Sequence, residues 1–191
     1  MRMKRHGCLR TVLLLAFAAA LLYFTAGEGK KIVLRELYPV KYQTYVEKYS
    51  EEYGIDKYLV YSIMKVESGF DPKAVSNVGA KGLMQLMDTT ASECSRKADF
   101  GYVIPDDMFD AEKNIRTGCY YLKTLMDTYG DTELAVTAYN GGTGNVRKWL
   151  GNSLFADGEG GLSDIPYAET KNYVKKVLKA YEIYTNLYKM Q

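Results

Sequence analysis

From residue 38 onward, apolar positions recur with a helical period, and helix signals punctuate the chain at regular intervals. Tyr42, Tyr45, Val46, Tyr49 and Tyr53 predict a helix over 38–53 that stops at Gly54. Asp56 is placed to cap a second helix running through Leu59 to Glu67, in which Val60, Ile63 and Met64 precede Glu67 by seven, four and three residues. Thr90-Ala91-Ser92-Glu93 has the form of a capping box and opens a third helix toward Ala98. Asp110 caps a long helix with Ile115, Cys119, Leu122, Met126 and Tyr129 on one face and Gly130 as its stop, while Gly118 inside it implies close packing. Short helices are expected over 132–138 and 145–150. A last helix carries Val174, Val177, Leu178, Tyr181, Tyr184 and Tyr188. The stretches 99–109 and 151–161 read as loops, the second glycine-rich and mobile. No alternating run suggests a strand of useful length, so the fold class is mainly α, a compact helical domain.

This pattern puts a carboxylate where one is costly. Glu67 ends the apolar run on its buried stripe, at a helix C-terminus whose partial negative charge disfavours an anion. Burial disfavours the charged form as well, so both effects raise its pKa. The plain alternative is that Glu67 turns to solvent or pairs with a base such as Lys81. The residues that follow are turn formers: Ser68-Gly69, Asp71-Pro72, and Ser76 to Gly82.

At 191 residues, 47% hydrophobic and 25% charged, the chain suits one globular domain with an appendage. The net charge of +2 is concentrated at the start, where Arg2, Lys4, Arg5 and Arg10 precede the first apolar run; the remainder is slightly acidic and offers no nucleic-acid face. Thr11 to Ala26 is uncharged and mostly apolar, which reads as an export signal or an N-terminal membrane anchor. Tyr23 and Phe24 are bulky where a signal peptidase needs small side chains, which favours an uncleaved anchor. The expected organisation is a leader over 1–26, a charged spacer over 27–37 and a domain over 38–191, with the domain outside the cytoplasm. Cys8 lies in the leader. Cys94 and Cys119 fall on two expected helices of the exported part, where either a disulfide or two buried thiols is allowed. His6 is the only histidine and no ligand cluster accompanies it, so neither a metal nor another cofactor is expected.

Three motifs then stand in order: Glu67-Ser68-Gly69-Phe70-Asp71-Pro72, Gly79-Ala80-Lys81-Gly82-Leu83-Met84-Gln85-Leu86-Met87, and Ala138-Tyr139-Asn140-Gly141-Gly142. Together they resemble the soluble-type lytic transglycosylases of the lysozyme-like superfamily, from about Tyr45 to Tyr188. Ile165 to Thr170, followed by Tyr173-Val174, resembles a fourth element. The resemblance implies a lysozyme-like domain that cleaves the β-1,4 bond between N-acetylmuramic acid and N-acetylglucosamine in peptidoglycan strands, leaving a 1,6-anhydro end. It also implies that Glu67 serves as acid and then base, and that Ser76, Gln85, Tyr139, Asn140 and Glu169 contact or orient substrate while Met84 and Met87 line the cleft. Each has a plainer reading: Ser76 as a turn former, the methionines as core, and Glu169 as a first-turn acid. A hydrolytic muramidase and a non-catalytic glycan-binding envelope protein remain alternatives. The chain departs from the common pattern at Asp88, where proline is frequent, at Gly141, where alanine is usual, and at Cys119.

Overall fold

The computed structural model describes residues 4–25, 27–101 and 105–189. Two compact units divide between Pro39 and Val40. The first holds α1 (Lys4–Thr25) and α2 (Glu28–Leu37), so the segment expected as a charged spacer is itself helical. Ala26, the expected leader boundary, lies outside the described residues. Large apolar side chains of α1 from Leu9 to Phe24 are exposed. Among the described residues no single helix is long and apolar enough to cross a membrane, although Leu9–Phe24 and Gly29–Leu37, bent by 56°, are so as a pair.

The second unit contains α3 (Gln43–Tyr53), α4 (Lys57–Glu67), α5 (Asp88–Ala98), a 3₁₀ turn (Pro105–Phe109), α6 (Ala111–Tyr129), α7 (Thr132–Gly141), α8 (Thr143–Leu150) and α9 (Ala168–Tyr188). Among the described residues the only β pairing is isolated bridges, at Val75–Lys81, Lys81–Leu86 and Ala156–Leu162. The expected mainly α class holds. Several boundaries move for local reasons. The first helix begins at Gln43 because Tyr42 sits in the left-handed region at φ 57°, and Pro39 disfavours helical backbone before it. The helix expected at Thr90 starts at Asp88, whose charge suits a helix N-terminus. Asp56, Asp110 and Asp131 accept from the backbone N–H of Tyr58, Lys113 and Leu134, so each fixes the start of its helix. The glycine-rich stretch is organised around Asp157, whose carboxylate accepts from the Glu159 and Gly161 N–H groups.

α4 is the centre of this unit. Tyr58 to Met64 are buried on every side, against α9 along one flank and α3 along another. Such a helix is apolar all round for the physical reason that it has no solvent face. The pattern read from Val60, Ile63 and Met64 therefore captures only part of its contact surface. The Tyr61 ring stacks on Tyr184 of α9 at 5.6 Å between centroids. α6 packs against α3, α5 and α7, and α7 in turn meets α8 and α9. Trp149 is core, edge-on to Tyr167. Gly118 brings α6 against Met84: a Cβ there would lie 2.3 Å from the Met84 sulfur.

Candidate active site

α4 ends at Glu67, and Ser68 takes over its last turn. The Ser68 hydroxyl lies 3.1 Å from the Met64 carbonyl and 2.8 Å from the Leu83 carbonyl, with the Phe70 N–H donating to it at 3.1 Å. One short side chain thus ties the helix end to the loop that follows. Gly69 and Phe70 both take positive φ, which reverses the chain.

The loop from Pro72 to Met87 is built by cross-links of its own. The Lys81 and Leu86 backbones exchange two hydrogen bonds at 3.0 Å, and the Gly82 N–H donates to the Ala74 carbonyl at 2.9 Å. Gln85, left-handed at φ 49°, turns its side-chain amide back to donate to the Ala74 and Gly82 carbonyls. The Ser76 hydroxyl accepts from the Ala80 N–H at 3.0 Å, the turn-forming role weighed for it. Lys81 grips both carboxylate oxygens of Asp88 at 2.9 Å; it is therefore not the partner of Glu67.

Asn114, fully buried on α6, is a second anchor that the sequence pattern did not mark. It accepts from the Met84 N–H at 2.8 Å and donates to the Lys81 and Met108 carbonyls. Gly82 is required beside it, because a Cβ would lie 2.1 Å from the Met108 carbonyl oxygen and φ is +74°. A buried asparagine on an otherwise apolar helix face was the available signal. The Tyr139 hydroxyl donates to the Met84 carbonyl at 2.8 Å, and not to Glu67.

Glu67 is partly exposed at the end of its helix. Desolvation pushes its pKa up to about 7, opposed in part by the Tyr173 hydroxyl of α9. That hydroxyl lies near enough to favour the carboxylate, but it is buried without a partner at hydrogen-bonding geometry. Burial, and after it the Glu67 charge, disfavours ionisation of the Tyr139 and Tyr173 phenols. Asp71 caps its own turn through the Lys73 N–H, and Asp88 is held by Lys81.

The remaining expected site residues separate into two groups. Met87, Asn140 and Glu169 have exposed side chains, at the start of α5, the end of α7 and the first turn of α9. Met84 is fully buried, so its side chain does not line an open cleft; it fills the space Gly118 leaves, and only its peptide groups serve the loop. Phe70 is also buried, with the Lys41 ammonium over its ring, and is not open to stacking. Cys94 and Cys119 are free buried thiols; the disulfide reading gives way to the alternative of two small apolar side chains. Among the described residues no group of three or more His, Cys, Asp or Glu side chains is arranged to hold a metal ion. A shallow hollow of about 720 Å³ over α5, lined by Asp88, Ser92 and Arg96 among others, does not include Glu67.

An almost wholly helical domain, with a half-shielded acid at the end of its central helix and a cross-linked loop beside it, defines the lysozyme-like class. A family model described as "Transglycosylase SLT domain" matches residues 44–159. The chain belongs to that family. It is 38% identical over 154 residues to the soluble lytic murein transglycosylase of Escherichia coli, covering 79% of this chain and 24% of the relative. It is 36% identical over 164 residues to the membrane-bound lytic murein transglycosylase C of Edwardsiella ictaluri, covering 72% and 44%. The crystal structure of the 70-kDa soluble lytic transglycosylase of E. coli superposes with a TM-score of 0.74 at 36% identity, over 80% of this chain and 25% of that one. The chain thus spans from about a quarter to under half the length of these relatives.

Proposed function

We propose that this chain is a peptidoglycan lytic transglycosylase, which breaks the β-1,4 bond between N-acetylmuramic acid and N-acetylglucosamine and leaves a 1,6-anhydro end. The observation that carries the reading is Glu67. A carboxyl with a pKa of about 7 in a desolvated setting is available at neutral pH both to give a proton and to take one back. In the first step protonated Glu67 passes its proton to the glycosidic oxygen, and the leaving sugar departs from the anomeric carbon. In the second, the resulting carboxylate removes the proton of the 6-hydroxyl as that oxygen bonds to the same carbon. Glu67 ends as it began, and no water is consumed. One carboxylate suffices for this sequence, whereas hydrolysis by the usual routes needs two.

Tyr139 acts by fixing the loop beside the acid, and Ser76 and Gln85 act the same way from within the loop. Met87, Asn140 and Glu169 contact the glycan directly through their exposed side chains, while Met84 holds the loop in place through its peptide groups. No cofactor takes part. The domain works outside the cytoplasm, held at the membrane by α1; support comes from the basic residues that precede its apolar run and from the membrane-bound relative.

Incubation of the full chain with purified sacculi, followed by mass spectrometry of the soluble products, tests the reading. Anhydro-muropeptides are expected. Products heavier by one water would instead make the enzyme a muramidase, and binding without soluble product would make it a glycan-binding protein. Glu67→Gln is expected to abolish release.

A further inference from the structure

The first unit carries more pattern than a simple tether needs. We propose that α2 is an interfacial helix that lies in the headgroup layer of an anionic phospholipid bilayer, a second membrane contact beyond α1; this rests on the anchor reading above.

The argument begins with length. The uncharged part of α1, Thr11 to Thr25, reaches roughly 22 Å at helical rise, short of the ~30 Å of a hydrocarbon core. Its end carries Tyr23, a residue type that settles at the membrane–water boundary, edge-to-face with Phe24 at 5.8 Å. The chain then bends by 56°. Gly27 supplies the positive φ of 108° for that bend, and Gly29 lets α2 start hard against α1, since a Cβ there would lie 2.6 Å from Phe24 Cδ1.

Beyond the bend α2 is too charged to continue a span and too apolar for water. Val33 and Leu37, four residues apart, share one side with Leu34, while Lys31 and Arg35, also four apart, share the other. Val33 and Leu37 are each about half exposed, whereas Ile32 lies apart from them, between Arg35 and Glu36. Lys30 falls within the apolar side, between Leu34 and Leu37, where its long stem can lie along lipid while its ammonium reaches a phosphate. An apolar side beside basic residues, continuous with an apolar helix, matches a surface of acyl chains and anionic headgroups. The polypeptide accordingly leaves the lipid surface at Leu37 and not at Phe24.

The test uses the full chain in vesicles of phosphatidylglycerol and phosphatidylcholine with brominated acyl chains, which quench nearby tryptophan. Val33→Trp adds a reporter to the buried Trp149 of the parent, which serves as the blank. The expected result is quenching above the parent, and weaker quenching for Ile32→Trp on the other side of the helix. Adding Lys30→Glu and Arg35→Glu to Val33→Trp should lower the excess quenching by roughly half or more, with flotation on vesicles unchanged. A chain that floats with vesicles while Val33→Trp is unquenched would overturn the inference and leave the anchor standing. A chain that fails to float would remove the anchor reading itself. Unquenched Val33→Trp in a dimer that Val33→Ser dissolves would give the face to a second copy of the chain.

Discussion

The Tyr139 hydroxyl donates to the Met84 carbonyl at 2.8 Å, tying α7 to the loop across 55 residues of sequence. The Met84 N–H is held from another helix, by Asn114 of α6. Both peptide groups of one residue are therefore fixed by side chains on separate elements. Tyr139→Phe removes the phenol and leaves a buried carbonyl without its donor, at an expected cost of about 1–3 kcal/mol, read from the urea midpoint. Displacement of the loop should lower turnover of sacculi by a factor on the order of ten to a hundred. An unchanged midpoint would show that the bond contributes nothing to the fold.

Packing of Gly118 on Met84 gives a second expectation, one that depends on two residues at once. Replacing glycine by alanine inside a helix normally stabilises it by about 1 kcal/mol. Here the new methyl would meet the Met84 sulfur at 2.3 Å and its Cβ at 3.0 Å, too near the backbone for a simple swing of the side chain. Gly118→Ala is expected to destabilise by about 1–3 kcal/mol. Met84→Ala alone should cost about 2–5 kcal/mol through a cavity. The double variant should be more stable than the sum of the singles predicts, because each change fits the space the other disturbs. Strict additivity in thermal or urea melts would rule this contact out as the reason for the glycine.

These residues also show what could be read from the chain and what could not. The helical period, the Asp56 and Asp110 caps and the Gly54 and Gly130 stops are local, and the sequence pattern carries them; a glycine inside a helix marks the close approach at Gly118 without naming its partner, Met84. Glu67 stood out because a carboxylate on an apolar stripe contradicts the pattern around it. What stayed hidden depends on partners far along the chain. Asn114 reaches back some thirty residues to the loop, and Tyr139 chooses a carbonyl fifty-five residues away over the acid. A burial pattern in which α4 has no solvent side likewise follows from α9 arriving more than a hundred residues later.

Retaining a proton on Glu67 has a consequence for stability whose sign is fixed. Folding raises this carboxyl from about 4.5 to about 7. Between those values the folded chain binds more protons than the unfolded one, so stability falls as pH rises. The favourable contribution is complete below pH 4.5 and lost above pH 7, an interval worth about 3 kcal/mol. Glu67→Gln keeps the shape and cannot ionise. It is expected to raise stability by up to about 3 kcal/mol at pH 8 and to change it little at pH 4, measured by urea unfolding at both. A variant equally stable or less stable than the parent at pH 8 would mean that the acid is not desolvated.

Tyr173 tunes the same acid from α9. Its hydroxyl favours the Glu67 carboxylate and so holds the pKa below the level burial alone would set. If the protonated acid begins the reaction, kcat/KM should decline on the alkaline side with an apparent pKa near that of Glu67 in the free enzyme. Tyr173→Phe withdraws the opposing influence, and the alkaline limb is expected to move to higher pH. Because the phenol favours the ionised acid, its loss should lower stability only where Glu67 is charged, above about pH 7, and leave it unchanged near pH 5. A merely structural role predicts instead a melting point lowered equally at every pH and an unmoved pH profile. Measuring release of anhydro-muropeptides from pH 5 to 9 beside a thermal melt separates the two roles. An alkaline limb that stays in place or shifts downward would remove Tyr173 from any part in setting the proton affinity of Glu67.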